Sequence, residues 1–166
     1  PEVTPPTILI GGSPGGVADV AIDPLGEIGV AVNTLDDTLV KVSLTANPVV
    51  PEVSPLPDGN RGPTRVVISR QGNYLAVLCP TSKTVAVYAV SQGGIAPVTT
   101  VPVDPRASEP DLAQLPVDVG FAPPERLLIL LADGAVVHAD LSQDPVDPQI
   151  IRSAQASAAA ALVVQP

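Results

Sequence analysis

Short runs of apolar residues, separated by clusters that contain Pro and Gly, recur along the whole chain. Residues 20–22 are a short apolar run, residues 28–32 are nearly continuous in apolar character, and residues 38–44 mix apolar with polar positions. Val, Ala, Leu and Ile supply most apolar positions, and β-branched residues in short runs bounded by Pro and Gly favour strands over helices. We therefore predict an all-β chain, with helix limited to at most one turn near residues 108–113.

The strand pattern is repeated, and the first two copies align most closely. Residues 20–32 match residues 66–78 without a gap, so that Gly26 falls on Gly72. Each copy consists of two strands joined by a turn with Pro or Gly, then a polar hairpin, a third strand and a looser fourth strand. Such a repeat indicates one supersecondary unit that stacks against its neighbours.

A third copy lies at residues 119–141. Its Pro123 aligns with Pro24, and its third strand at residues 136–141 matches residues 39–44 if two residues are missing from its hairpin. Pro residues recur in the fourth strands of the copies. Because Pro cannot donate a hydrogen bond to a neighbouring strand, we expect these strands to lie at sheet edges.

Four antiparallel strands in a unit of about 40 to 50 residues are typical of β-propeller blades. We predict three four-stranded blades, at about residues 17–57, 63–104 and 116–154, in a single domain of residues 1–166. Apolar runs such as residues 127–131 fit central strands that neighbouring blades bury on both faces. A β-sandwich also has many short strands, but it does not explain why the same order of turns occurs three times.

The two ends of the chain predict flanking strands and an incomplete ring. Residues 7–10 have the pattern of the outer strand of a preceding blade, and residues 160–166 repeat the pattern of residues 18–24, a first strand. Closed rings contain about four to eight blades. We therefore expect a protein partner or self-association to complete the ring. The sequence has no Met, even at its start, and we expect it to be processed or excised.

Charge, hydropathy and cysteine content narrow the classes of partner. The net charge is −9, from 17 acidic and 8 basic residues, and such a chain repels phosphate backbones, so we expect no nucleic-acid partner. No apolar run approaches the roughly 20 residues of a membrane-spanning helix. The single cysteine, Cys79, cannot form an internal disulfide or a CxxC metal site, and we expect it to be a small buried hydrophobe.

Residues 30–33, followed by residues 37–42, resemble a YVTN-type propeller repeat. These repeats belong to a superfamily that includes phosphogluconolactonase-like and surface-layer propellers. Residues 23–26 and Asn33 match the pattern, whereas the second copy has Cys79 where the pattern has Asn. The resemblance implies a propeller in an extracytoplasmic location, either secreted, periplasmic or at the cell surface. It implies no particular activity, because no lactonase motif is present to carry catalytic residues over.

The best candidate site consists of three charged residues at equivalent positions of the copies, Asp19, Arg65 and Asp118. In a propeller the first strands line the central channel, so the starts of these strands lie near one mouth. We predict that the three side chains bind a cation, a polar ligand or a peptide terminus there. The alternative is that neighbouring blades pair these charges with each other.

Other residues give weaker indications of chemistry. His138, the single histidine, falls in an alternating strand, where we expect a solvated side chain rather than a member of a catalytic triad. Asp36 and Asp37 fit a hairpin turn better than a metal site. The glycine-rich residues 11–16 precede a strand rather than a helix, so they lack the context of a phosphate-binding loop, and Ser13 lacks that of a hydrolase serine. We predict no catalytic residue, no metal and no cofactor.

These observations favour a non-catalytic module that binds a protein or ligand, or serves as a scaffold. One alternative is a fragment of a lactonase-like propeller hydrolase whose active residues lie in other blades. Another is a structural component of a surface layer or filament, in which exposed edge strands pair between subunits.

Overall fold

A computed structural model describes residues 15–46, 49–91, 94–103, 115–143 and 146–151, and in these ranges it contains twelve strands and no helix. The all-β prediction is confirmed. The predicted strands at residues 7–10 and 160–166 and the predicted turn near residues 108–113 lie outside the described residues. The strands are β1 (Val17–Ile22), β2 (Ile28–Asn33), β3 (Thr38–Ser43), β4 (Pro51–Pro55), β5 (Arg65–Ile68), β6 (Tyr74–Cys79), β7 (Thr84–Ser91), β8 (Gly94–Pro102), β9 (Pro116–Ala122), β10 (Arg126–Leu131), β11 (Val136–Asp140) and β12 (Gln149–Ile151).

The twelve strands form three separate antiparallel sheets, each from four consecutive strands in the order of the chain. The first sheet is β1 to β4, the second β5 to β8 and the third β9 to β12, and these are the predicted blades. The fourth strands β4, β8 and β12 lie at sheet edges. β4 and β8 contain Pro residues, and an edge strand tolerates them because no further strand needs the backbone N–H that proline lacks. This placement confirms the prediction for the fourth strands.

The sheets stack face to face, and the hydrophobic core lies in the two seams between them. Successive side chains of the central strand β6 point to opposite faces of the second sheet. Both faces are buried, one against the first sheet and one against the third. Leu75 and Val77 pack into the seam with the first sheet, beside Val30. Leu78 packs into the seam with the third sheet, beside Ile129.

A side-chain carboxylate organises the turn between β1 and β2. Asp23 accepts backbone N–H hydrogen bonds from Leu25 at 3.1 Å, from Glu27 at 2.7 Å and from Ile28 at 2.6 Å. Burial by itself raises the pKa of Asp23, but these three N–H donors outweigh it and hold the pKa below its ordinary value. Gly26 completes the turn with a φ of 72°, in the left-handed region that favours glycine.

The third copy departs from the gapless alignment of its first two strands. Ala122 pairs with Arg126, so the turn between β9 and β10 contains three residues, 123–125. In the first copy the backbone N–H of Asp23 donates to the carbonyl of Ile28, so the equivalent turn contains four residues, 24–27. One of the two missing residues is therefore lost from this turn and one from the hairpin, rather than both from the hairpin. The difference matters because a slip of one residue exchanges the two faces of a strand.

Two isolated side chains test further expectations. Cys79 is fully buried, as predicted for a small hydrophobe, and burial together with the charge of Asp37 raises the pKa of its thiol to about 12. The expectation of a solvated His138 was wrong, because the side chain is half-buried and its Nε2 atom is buried without a hydrogen-bond partner in the described structure. Its strand lies inside the third sheet, between β10 and β12.

Candidate functional site

The structure places all three predicted site residues on the first strands of consecutive sheets. Asp19 lies in β1, Arg65 begins β5 and Asp118 lies in β9. These first strands run beside one another, with β1 next to β5 and β5 next to β9. The repeat therefore brings the three positions to corresponding places along the inner edge of the stack.

Asp19 joins the first sheet to the second. Its Oδ1 atom accepts a hydrogen bond from the backbone N–H of Val20 at 2.9 Å, and its Oδ2 atom accepts one from Val66 at 3.0 Å. Val66 belongs to β5, an edge strand whose outward N–H groups have no strand to pair with. The carboxylate supplies the missing acceptor, so it stabilises the seam as well as the start of its own strand.

Arg65 and Asp118 join the second sheet to the third. The Nε atom of Arg65 lies 2.8 Å from the Oδ1 atom of Asp118, which also accepts the backbone N–H of Val119 at 2.8 Å. The side chain of Asp118 is 1% exposed and that of Arg65 is 48% exposed. A buried carboxylate depends on such partners, because removal of its counter-charge leaves an uncompensated charge in the interior.

The charges of Arg65 and Asp118 are thus paired between neighbouring sheets. The sequence analysis gave such pairing between blades as the alternative to a ligand site. The pairing leaves 48% of the Arg65 side chain exposed. Binding of a ligand by Asp19, Arg65 and Asp118 stays a prediction.

A polar network between the first two sheets was missed by the sequence analysis. Asp37 accepts hydrogen bonds from the backbone N–H of Gly62 at 2.7 Å and from Nη1 of Arg61 at 3.2 Å. Asn60, which is buried, donates to Thr100 and accepts from Thr84. Residues 60–62 of the connection are therefore held by Asp37 from a hairpin of the first sheet and by Thr84 and Thr100 from strands of the second. The sequence carries no signal for this, since Asn60 reads as an ordinary turn residue.

Two clefts lie along the seams. One, of about 370 Å³, lies between the second and third sheets and reaches Arg65. The other, of about 400 Å³, lies between the first and second sheets and is lined by Lys41, Glu52 and Tyr88 among others. Burial raises the pKa of Tyr88, and the neighbouring Cys79 raises it further, so the phenol stays neutral.

Cation sites and membrane spans were sought in the described residues. Within them, no three His, Cys, Asp or Glu side chains lie close enough together to hold a metal ion. The same ranges contain no helix with the length and apolar character needed to cross a membrane.

Comparison with known proteins gives the fold. No protein-family model matches the chain, and no curated protein matches it. Among solved structures, the periplasmic gluconolactonase of Pseudomonas aeruginosa is similar with a TM-score of 0.58 and 18% identity, over 75% of this chain and 36% of that one. The WD40 repeats of RRP9 match with a TM-score of 0.68 and 17% identity, over 92% of this chain and 43% of the other. The β-propeller domain of Swd1 from Myceliophteria thermophila matches with a TM-score of 0.60 and 10% identity, over 82% and 42%.

The three sheets are therefore blades of a β-propeller, as predicted. The chain spans about two-fifths of the length of these structures, which include lactonase-type and WD40 propellers alike. Identities below 20% establish the fold and leave the YVTN-type assignment as a resemblance.

Proposed function

We propose that this chain is a non-catalytic propeller module for binding or scaffolding, and that another propeller blade packs against its first sheet to extend the ring. One observation carries the proposal. The face of the first sheet that points away from the second sheet exposes Val20 and Ile22 at 61% each and Val53 at 49%. Large apolar side chains grouped on one face of a sheet are typical of an interaction surface.

The pairing of the strands places these side chains on a single surface. Val20 pairs with Ala31 across β1 and β2, and Val53 pairs with Val40 across β3 and β4. Ala31, Val40 and Val42 lie on the same face in the two central strands and are buried. The exposed apolar side chains therefore lie at the two edges of the face, Val20 and Ile22 on β1 and Val53 on β4. Each 100 Å² of this exposed apolar surface that a partner covers contributes about 2.5 kcal/mol.

The repeat identifies the kind of partner. Val66 and Val119 occupy the position of Val20 in the second and third sheets, and both are buried by the sheet that precedes them. A surface that is covered by a propeller blade in two of three copies fits the same kind of partner in the first. The partner is thus another four-stranded blade, either in a second copy of this chain or in another polypeptide.

The other functional classes differ in what they require. A lactonase-like hydrolase needs catalytic residues contributed by further blades, and the similarity to a gluconolactonase extends to the fold alone. A surface-layer or filament component uses the same apolar face for contacts between subunits. The resemblance to YVTN-type repeats implies an extracytoplasmic location, and we include that location in the proposal. Fractionation of the producing cells tests it, because the chain should then be found outside the cytoplasmic fraction.

The test compares two variants by light scattering. Val20→Asp together with Ile22→Asp places two charges on the apolar face, whereas Val98→Asp places one at a position of β8 that is 53% exposed and lies outside that face. We expect the double variant to abolish association that wild type and Val98→Asp retain. Association that survives the double variant, with a folded spectrum by circular dichroism, contradicts the proposal.

A further inference from the structure

The cleft of about 370 Å³ lies where the first strands and first turns of the second and third sheets face each other. It extends from Arg65 along Val67 and Val119 to the turn residues Arg70 and Glu125. Its volume falls in the range of pockets that hold small ligands, which begins at about 300 Å³.

The corresponding place in the seam between the first and second sheets is closed. There, Gly72 approaches Pro24 so closely that a Cβ atom on the glycine would lie 3.3 Å from the proline ring. In the seam between the second and third sheets, Arg70 stands at the position of Pro24, and the turn at residues 123–125 is one residue shorter. The contact that closes the first seam is therefore replaced here by a different residue and a shorter turn, and the cleft lies at this place.

Aromatic rings form the apolar wall of this cleft. Tyr74 and Phe121 stack across the seam with ring centroids 6.5 Å apart and an angle of 27° between planes. Both are half-buried. The equivalent positions between the first and second sheets are occupied by Ile28 and Ile68, so the aromatic pair is confined to the seam that contains the cleft.

The charges at the cleft have unequal roles. The exposed Arg70 has no ion pair with any described residue. Arg65 is held in place by Asp118 and keeps about half of its side chain exposed. Glu125 lines the opposite rim and repels a second negative charge on a ligand. A guanidinium group beside an apolar wall suits a carboxylate, whose two oxygens match its paired donors.

We propose that the cleft binds a singly charged carboxylate attached to a flat apolar group. Arg70 pairs with the carboxylate, and the apolar group packs on Tyr74 and Phe121. Either a free small acid or the C-terminal residue of a peptide has this chemistry. This site extends the predicted one at Arg65 and does not depend on how the ring is completed.

The experiment titrates the full chain with three probes, monitored by amide shifts in nuclear magnetic resonance spectra. The probes are 3-phenylpropionate, the peptide N-acetyl-Gly-Gly-Phe and the same peptide with a C-terminal amide. We expect saturable shifts of Tyr74, Gly120 and Phe121 with at least one of the two acids and none with the amide. Binding of 3-phenylpropionate identifies a free acid as sufficient, and binding of the peptide acid alone identifies a peptide terminus.

Matched variants assign the contact. Arg70→Gln should weaken binding about tenfold or more, because a charge-assisted hydrogen bond is lost, whereas Arg126→Gln removes an exposed arginine outside the cleft and should leave the affinity unchanged. Phe121→Leu, which keeps an apolar core residue, should also weaken binding. Absence of saturable binding by both acids, equal binding of the amide, or equal loss from Arg70→Gln and Arg126→Gln overturns the proposal.

Discussion

Val20 and Val66 occupy the same position in the first strands of consecutive blades, yet Val20 is 61% exposed and Val66 is 3% exposed. The difference arises from what lies against each strand rather than from the strands themselves. Val66 packs into the seam with the first sheet, beside Val77 and Cys79, whereas Val20 lies on the opposite face of that first sheet. The same residue type thus lies in the core of one blade and on the exposed surface of another.

This pair gives a first prediction for stability. Val66→Ala removes two buried methyl groups and should lower the free energy of unfolding by about 1.5–3 kcal/mol. Val20→Ala, measured at a protein concentration low enough to prevent association, should change it by no more than about 0.5 kcal/mol. Urea denaturation of the two variants provides the comparison. Equal losses at the two positions would show that Val20 is already covered in the isolated chain.

A second prediction concerns the ion pair between the second and third sheets. Arg65→Gln leaves the buried carboxylate of Asp118 with the Val119 N–H but without its cation, and should cost about 1–3 kcal/mol of stability. The double variant with Asp118→Asn should cost less than the sum of the two single variants, because Asp118→Asn removes the negative charge that Arg65 balances. Additive losses in this double-mutant cycle would show that the two side chains are not energetically coupled.

A third prediction concerns acid. The pKa of Asp23 is lower in the folded chain than its ordinary value of 3.8, so protonation favours the unfolded chain. Its stabilising contribution is therefore present above about pH 4 and is lost as the pH falls through the folded pKa. Unfolding free energies measured from pH 6 down to pH 2.5 should fall more steeply for wild type than for Asp23→Asn. Parallel curves would contradict the role assigned to this carboxylate.

A fourth prediction uses the buried thiol. Because the pKa of Cys79 is raised to about 12 and the side chain is fully buried, the native thiol should not react with a disulfide reagent at pH 8. The same thiol should react within minutes after denaturation in guanidinium chloride. Native-state labelling at a rate similar to that of the denatured chain would contradict the buried placement of β6.

The strands and blades could be predicted from the sequence because each depends on local signals. Gly26 and Gly72 mark equivalent turns, and the apolar runs of β2 and β6 need burial on both faces. The register of the third blade could not be predicted, because residues 127–131 are apolar at every position and fit either register. The backbone pairing of β10 with β9 determines which side chains of β10 face the second sheet.

The candidate site was predicted in part for a related reason. The repeat placed Asp19, Arg65 and Asp118 at equivalent positions, and the structure brings them to adjacent first strands. Their partners, the Val66 N–H and the neighbouring carboxylate, depend on how the sheets stack, which no local pattern reports. The cleft lies beside the shorter turn at 123–125 and beside Arg70, which replaces the Pro24 that contacts Gly72 in the other seam, and no local pattern shows that these differences leave a cleft.

The most direct measurement observes the apolar face of the first sheet itself. Methyl resonances of Val20, Ile22 and Leu25 can be compared in the presence of a paramagnetic co-solute, as the protein concentration is raised. Leu25 lies in the turn, is 79% exposed and serves as the internal reference. We predict that Val20 and Ile22 become protected from the co-solute with increasing concentration while Leu25 does not. If the methyl groups of Val20, Ile22 and Leu25 stay equally accessible at every concentration, and the molecular mass does not rise above that of the 16.8 kDa chain, the proposal that a blade of a second copy covers this face is contradicted.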